Sequence, residues 1–353
     1  MTSKPFLARI LREPSYGYER EGRLYVPTSR ELWAEYRARI NVLSDRRGWL
    51  PLWSQLSTLA LLPFAAVFFL KYFTVPRLLA GIAYNLFLNV HGTAYLHRYG
   101  THSAFKTSSR FALFILRNLS IKIVCEEIFV ISHHVHHALA EKPGDPYNAR
   151  AGWLYCFIAD VNHQTLRKDL SCEDYARVAG LLSHCGLRAN TYEQYLKWGS
   201  VTNPGRLLAH TALNWAFWFG ALSLAGGPGL ACAIFGLSSL WAISIRNFNF
   251  KSHGSGRDLR RAGVDFNVGD RSVNLALAGF SAGEWHGNHH LYPRSARAGF
   301  LPWQPDISFL FVRALKGAGL VESYVDHRSD FFREYYEPYL SRQFEGVHGE
   351  SSP

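Results

Sequence analysis

The sequence predicts an all-α integral membrane protein: four transmembrane helices under a cytosolic helical cap that holds a dinuclear metal centre. Three observations carry that expectation. Four apolar runs fall in two hairpin-like pairs. Lys and Arg lie almost wholly outside those pairs. Nine histidines sit in four short motifs that leave or flank the same ends of the runs.

Composition agrees. The 353 residues are 48% hydrophobic and 15% aromatic, with 10 Trp, 18 Tyr and 24 Phe, a load suited to a bilayer girdle. Mean hydropathy is only -0.08, so much of the mass belongs in water. The formal net charge is +11. It fits a positive-inside bias, with docking to anionic headgroups or an acidic electron carrier as a second use. The basic residues are scattered and no nucleic-acid fold motif is present, which argues against a nucleic-acid partner. Cys125, Cys156, Cys172, Cys185 and Cys232 form no C-x2-C pair. They read as small buried apolar residues in a reducing compartment, not as a disulfide framework or zinc ribbon. The first twenty residues lack the apolar core and cleavage site of a secretory signal.

Residues 1–50 are polar, with ten Lys/Arg, and read as a cytoplasmic arm with an amphipathic helix over 29–41. The first transmembrane hairpin occupies 51–98, with spans over 52–73 and 78–96 broken at Thr74-Val75-Pro76. Each run is near the ~20 residues that cross ~30 Å of hydrocarbon. A cap segment follows over 99–204. Within it, 111–131 is apolar but interrupted by Arg117, Lys122, Glu126 and Glu127. A charge at mid-bilayer costs ~3 kcal/mol, so this stretch predicts an interfacial helix. The second hairpin occupies 205–248, with spans over 207–224 and 230–245 joined by a turn at Gly226-Gly227-Pro228-Gly229. Residues 249–353 form the C-terminal cap, with a surface helix over 307–315. The turns between paired spans are short and nearly free of charge. The positive-inside rule therefore puts both termini and all four histidine motifs on the cytoplasmic side.

The motifs are His97-x4-His102, His133-x2-His136-His137, Asn249-x3-His253 and His286-x2-His289-His290. Residues at i, i+3 and i+4 share a helix face. Each His-x2-His-His set can therefore offer ligands to two ions side by side. His97 and His102 stand about 140° apart round an α-helix, which suits a helix end or ligands to two different ions. Asn is a poor direct ligand for iron, so Asn249 is expected to act through a bound water. Nine imidazoles are too many for one ion and suit two. Structural zinc would use Cys and close one tetrahedron. A transporter would place its ligands at mid-membrane, whereas these lie at the span ends. A nitrogen-rich pair of open sites suits iron and dioxygen. Asp145, Asn148, Glu284 and His91 are the expected supports behind the ligands. His134, His163, His184, His210, His327 and His348 read as structural or exposed.

HRYGTH (97–102), HHVHH (133–137) and GEWHGNHHLYP (283–293) resemble the three histidine boxes of the membrane-bound acyl desaturases of the stearoyl-CoA, or delta-9, type. Asn249 and His253 resemble that family's fourth ligand motif, and GDPYNA (144–149) the stretch after its second box. The resemblance covers about residues 80–315. It implies a diiron centre held by the nine histidines, with Asn249 acting through water. It also implies a mushroom-like fold with a kinked acyl tunnel. The reaction implied is oxygen-dependent hydrogen abstraction from a fatty acyl chain, giving a double bond. The substrate would be a fatty acid or fatty acyl thioester. No His-Pro-Gly-Gly motif is present, so an external electron donor is implied: ferredoxin, rubredoxin or a cytochrome b5-like carrier. Arg167 and Lys168 resemble the family's headgroup-binding pair.

Two departures stand out. Ile131 and Ser132 replace an Arg-Asp pair, and Asn162-His163 replaces a Gly-Trp step that shapes the tunnel. The stretch 152–170 is more similar to membrane diiron decarboxylases, which convert free medium-chain fatty acids to terminal alkenes such as 1-undecene. Hydroxylation is the remaining alternative, because the same radical can take up oxygen.

Overall fold

The computed structural model describes residues 5–253 and 285–341. The first helix, α1 (Ser29–Ile40), starts where the sequence marks it: Thr28 and Glu31 form a reciprocal capping box. An apolar bundle follows. It contains α2 (Trp49–Leu59), α3 (Leu62–Val67) with a π turn over Phe68–Tyr72, and α4 (Val75–Gly92). Helix α4 runs on into a π-helix over Thr93–Thr101.

The long helix α11 (Pro204–Ser244) completes the bundle. It is two helices, because Gly226 (φ -151°) and Gly227 (φ 77°) leave helical geometry. Only glycine takes the second of these conformations without strain. The rings of Phe219 and Phe235 lie 5.5 Å apart. On a straight helix sixteen residues would span about 24 Å, so α11 folds back on itself. Its second arm approaches α3 and α4 closely: a Cβ on Gly236 would run into the Ala65 backbone, and one on Gly81 into Leu237. The Asn85 amide donates to Leu237 O at 3.1 Å, and the Trp241 indole donates to Asn89 at 2.8 Å. These bonds pin α4 to the second arm.

Among the described residues two stretches are long and apolar enough to cross a membrane: Arg46–Tyr72 and Pro204–Ser252. The second contains both arms of α11. The expected span over 78–96 lies on α4, which carries Asn85, Asn89 and His91 and is not one of the two. Large apolar side chains face outward on all of these helices, among them Leu70, Leu79, Leu213 and Leu224.

The stretch 111–131 is not one helix. It forms α5 (Arg110–Asn118) and the start of α6 (Glu126–Leu139), with non-helical chain between. Side chains of the apolar bundle satisfy that link. Ile121 N donates to Tyr84 Oη and Lys122 N to Asn214 Oδ1, both at 2.9 Å. Asn214, Trp215 and Trp218 donate to the carbonyls of Ser120, Lys122 and Asn118. Unpaired backbone would be costly here, and these partners remove the cost. Lys122 and Arg117 meanwhile pair with Glu126, at 2.8 and 3.1 Å. Three of the four interrupting charges thus form one ion-pair cluster, while Glu127 accepts from Val201 N and Thr202 N.

Short helices build the rest of the cap: α7 (Trp153–Phe157), α8 (Ala159–Asn162), α9 (Cys172–Leu181) and α10 (Tyr192–Trp198). Beyond α11 come α12 (Phe248–Ser252), α13 (His286–Leu291), α14 (Ile307–Gly317) and α15 (Arg328–Phe331). The chain is not wholly helical. Strands β1 (Glu19–Arg20) and β2 (Arg23–Leu24) pair antiparallel, as do β3 (Phe105–Thr107) and β4 (Val321–Tyr324). The second pair ties the segment after the first histidine motif to the C-terminal cap. The buried Arg98 reinforces that tie, donating to Asp306 and to Ala296 O. Four cysteines are buried and free, whereas Cys172 is exposed, against the expectation that all five are buried.

Candidate metal centre

The π-helix explains the odd spacing of the first motif. A π turn bonds residue i to i+5, so residues five apart come back to one face. His102 N bonds His97 O at 3.2 Å, and the two rings lie 5.1 Å apart. The α-helical estimate of 140° therefore fails here, and both residues join one group rather than serving two ions.

Helix α6 brings in His133, His136 and His137, α13 brings in His286, His289 and His290, and His253 follows α12. The imidazoles form two groups that could each hold a metal ion. One comprises His97, His102, His133, His137 and His289; the other, His136, His253, His286 and His290. Within the first, His289 Nε2 lies 2.8 Å from His97 Nε2 and 3.0 Å from His137 Nε2. Within the second, His286 Nε2 lies 2.9 Å from His253 Nε2 and 3.0 Å from His290 Nε2. One ring proton cannot serve two such neighbours at once. Nitrogens ~2.1 Å from a shared ion and at right angles lie ~3.0 Å apart, so the spacing fits a cation in each group. Burial, with the neighbouring imidazoles, holds His133, His136, His289 and His290 well below the usual histidine range. Neutral rings are the form that binds metal.

Carboxylates stand behind the second group. His136 Nδ1 donates to Asp145 Oδ1 at 2.8 Å, which leaves Nε2 facing the group. Asp145 also accepts from Glu141 N and Tyr147 N, and burial pushes its carboxyl up to about 7. Glu141, which sequence reasoning missed, lies 3.6 Å from His253 Nδ1. Asn148 does not touch a histidine. It donates to Lys142 O and accepts from Arg150 N, bracing the turn that carries Asp145. His91 is also elsewhere: Nε2 donates to Leu116 O, and Nδ1 accepts from Ser120. It binds α4 to the α5–α6 link rather than to a metal-facing ring. Asn249 lines the cavity described next, and Glu284 lies outside the described residues.

A cavity of about 220 Å³ adjoins the histidines. His97, His133, His286 and Asn249 face it, with Leu88, Leu96, Ile128, Phe129 and Trp241 along its walls. Ser54, Asp160 and Arg246 also line it. The expected headgroup pair does not. Arg167 is exposed and paired with Asp169, and Lys168 with Asp45. Ile131 is buried against Ile10 and Leu11 of the arm, whose backbone bridges to Leu166. Ser132 donates to Ile128 O and bonds the Tyr147 hydroxyl. Asn162 donates to Leu32 O, and His163 stacks on Tyr155 and bonds Tyr16. All four positions that depart from the desaturase pattern are therefore closed and buried.

A helical cap gathers nine imidazoles in two groups that could each hold a metal ion, over apolar helices and beside an apolar cavity. No family model matches the chain. Among curated proteins, it is 27% identical over 232 residues to icosanoyl-CoA 5-desaturase of Limnanthes douglasii, covering 65% of this chain and 59% of the relative. It is 27% identical over 252 residues to delta-9 acyl-lipid desaturase 2 of Arabidopsis thaliana, covering 67% and 71%. It is 25% identical over 249 residues to stearoyl-CoA desaturase of Sus scrofa, covering 69% and 65%. The chain thus spans about three fifths of the first relative and about two thirds or more of the others. All three of these relatives are fatty acyl desaturases, and the chain is similar to them over about two thirds of its length.

Proposed function

We propose that this protein is an oxygen-dependent diiron oxidoreductase that removes hydrogen from a fatty acyl chain and, as the leading reading, introduces a double bond. The observation that carries it is the convergence of nine imidazoles, in groups of five and four, at one wall of an apolar cavity of about 220 Å³. Bound iron would supply dioxygen reduction and the oxidising power to attack an unactivated C–H bond. His97, His102, His133, His137 and His289 would hold one ion. His136, His253, His286 and His290 would hold the other, with Asn249 acting through water. The protein's own part is binding, orientation and the exclusion of water. Leu88, Leu96, Ile128, Phe129 and Trp241 seat the chain. Asp145 and Glu141 fix His136 and His253.

The setting is a multi-pass membrane protein, with α2–α3, α4 and the two arms of α11 as four crossings and the cap in the cytoplasm. Electrons would come from a separate carrier such as a ferredoxin, rubredoxin or cytochrome b5-like protein.

One observation favours a second reading, oxidative decarboxylation of a free acid to a terminal alkene. Ile131 and Ser132, which stand where the desaturase pattern has an Arg-Asp pair, are both buried, Ile131 against Ile10 and Leu11 of the arm. Gas chromatography of lipids and headspace from cells making the protein separates the readings. An internal double bond is expected. A volatile 1-alkene would select decarboxylation, and a hydroxy acid hydroxylation. His136→Ala is expected to remove activity and most bound iron, whereas His210→Ala, whose ring bonds Asn118, leaves both. Full iron in H136A would overturn the ligand assignment.

A further inference from the structure

The large cavity has one lysine or arginine in its described lining, Arg246. A full positive charge is expensive beside apolar walls and calls for a reason. Arg246 lies in the single turn Ile245–Asn247 between α11 and α12. Arg246, Asn249 and His253 recur at i, i+3 and i+7, so one helical face carries the charge, the water-binding candidate and an imidazole of the metal groups.

The hydrogen bonds of Arg246 are incomplete. Nη1 donates to Asp160 Oδ1 at 2.7 Å and, at 3.5 Å, faces Phe157 O. Among the described residues nothing accepts from Nε or Nη2. A guanidinium has five N–H donors in a planar fork, and a carboxylate matches two of them at once. Asp160 does not make that two-point pairing. Its Oδ2 is taken by Ser54 Oγ at 2.8 Å and Gln55 Nε2 at 2.7 Å. Asp160 thus fixes the guanidinium by one corner and leaves an edge of the fork unfilled. The expected headgroup pair outside the cavity offers no such edge, since Arg167 meets Asp169 with two bonds and Lys168 is held by Asp45.

We infer that the cavity takes its substrate as a free fatty carboxylate, whose two oxygens bind the Nε/Nη2 edge of Arg246. This rests on the fatty-chain reading above and names the substrate class within it. A thioester has no charge at that carbon and leaves the fork unfilled. Its bulky headgroup would also have to pass the arm that covers Ile131.

The test is equilibrium binding to the full-length, iron-loaded protein in detergent, with dodecanoate, 1-dodecanol and dodecanoyl-CoA as probes. Dodecanoate is expected to bind at least tenfold more tightly than either of the others. R246Q is expected to bring the acid down to the level of the alcohol, with alcohol binding and iron content unchanged. R246K keeps the charge without the fork and is expected to fall between the two. Equal binding of acid and alcohol by the wild-type protein would overturn the inference whether or not R246Q folds. So would a full acid preference in R246Q. Failure of all three probes to bind, with no lipid product in cells, would instead sink the fatty-chain reading on which it depends.

Discussion

At the scale of single residues, the carboxylates behind the histidines are as informative as the histidines. Asp145 takes the Nδ1 proton of His136 and two backbone protons, so it sets both the tautomer and the tilt of that ring. Removing such a support typically weakens metal binding about 10–100-fold. Asp145→Asn is expected to do so, read by chelator competition with ferrous iron. An affinity equal to wild type would show that Asp145 only holds its turn together. Asp145 was legible in the sequence because it lies in a recognisable stretch after the second box. Glu141 was not. It reaches His253, more than a hundred residues later, from a left-handed backbone position (φ 61°) that no local pattern signals. The Arg246–Asp160 contact was hidden for the same reason, being a pairing across 86 residues.

At the scale of elements, periodicity predicted where helices lie better than where they break. An apolar run in 111–131 looks continuous when only hydropathy is counted. The break appears because Tyr84, Asn214, Trp215 and Trp218 offer backbone partners that a helix would not need. Glu126 then sits buried at the head of α6 between Lys122 and Arg117. Burial alone would raise its carboxyl, but the two cations outweigh burial and hold it well below the usual carboxylate range. Such a group stabilises the fold fully above about pH 4.3, the ordinary glutamate value, and its contribution is lost as pH falls below that. Glu126→Gln is expected to cost about 3 kcal/mol at neutral pH, as breaking a buried pair does. Thermal unfolding at pH 7 and pH 4 checks it: the gap between variant and wild type should narrow at the lower pH. Helix contacts give a second test. Gly236→Ala pushes a methyl into the Ala65 backbone and is expected to destabilise by about 2 kcal/mol. Gly220→Ala meets nothing within 4 Å and is expected to be neutral or stabilising in the same melt.

At the scale of the whole molecule, the apolar bundle sets how the protein would sit in a membrane. Among the described residues two stretches qualify as spans by length and apolarity, and the proposed four-crossing topology predicts opposite sides for the α11 turn and the cap. Cys172 is exposed on the cap and serves as a native reporter. A thiol reagent that cannot cross membranes is expected to label Cys172 only after cells are opened. A cysteine placed at Gly227 should react in intact cells. Labelling of Cys172 in intact cells, or of the Gly227 cysteine only in opened ones, would overturn the topology. Stability of the cap itself rests on long-range ties, since β3 pairs with β4 and Arg98 bonds Asp306 across 208 residues.

The sequence by itself determined the apolar runs, the turn at Gly226-Gly227 and the histidine motifs, because hydropathy, glycine and helical spacing act locally. It also carried the superfamily resemblance. Only the tertiary structure decided how the nine imidazoles divide into groups of five and four, because a π-helix rather than an α-helix carries His97. The cavity was likewise a tertiary outcome. The arm closes over Ile131, the expected headgroup pair Arg167 and Lys168 lies outside the pocket, and Arg246 comes to line it through a packing partner far away in the chain. Local chemistry is written along the chain, whereas the placing of a charge against an apolar wall depends on contacts that exist only once the chain is folded.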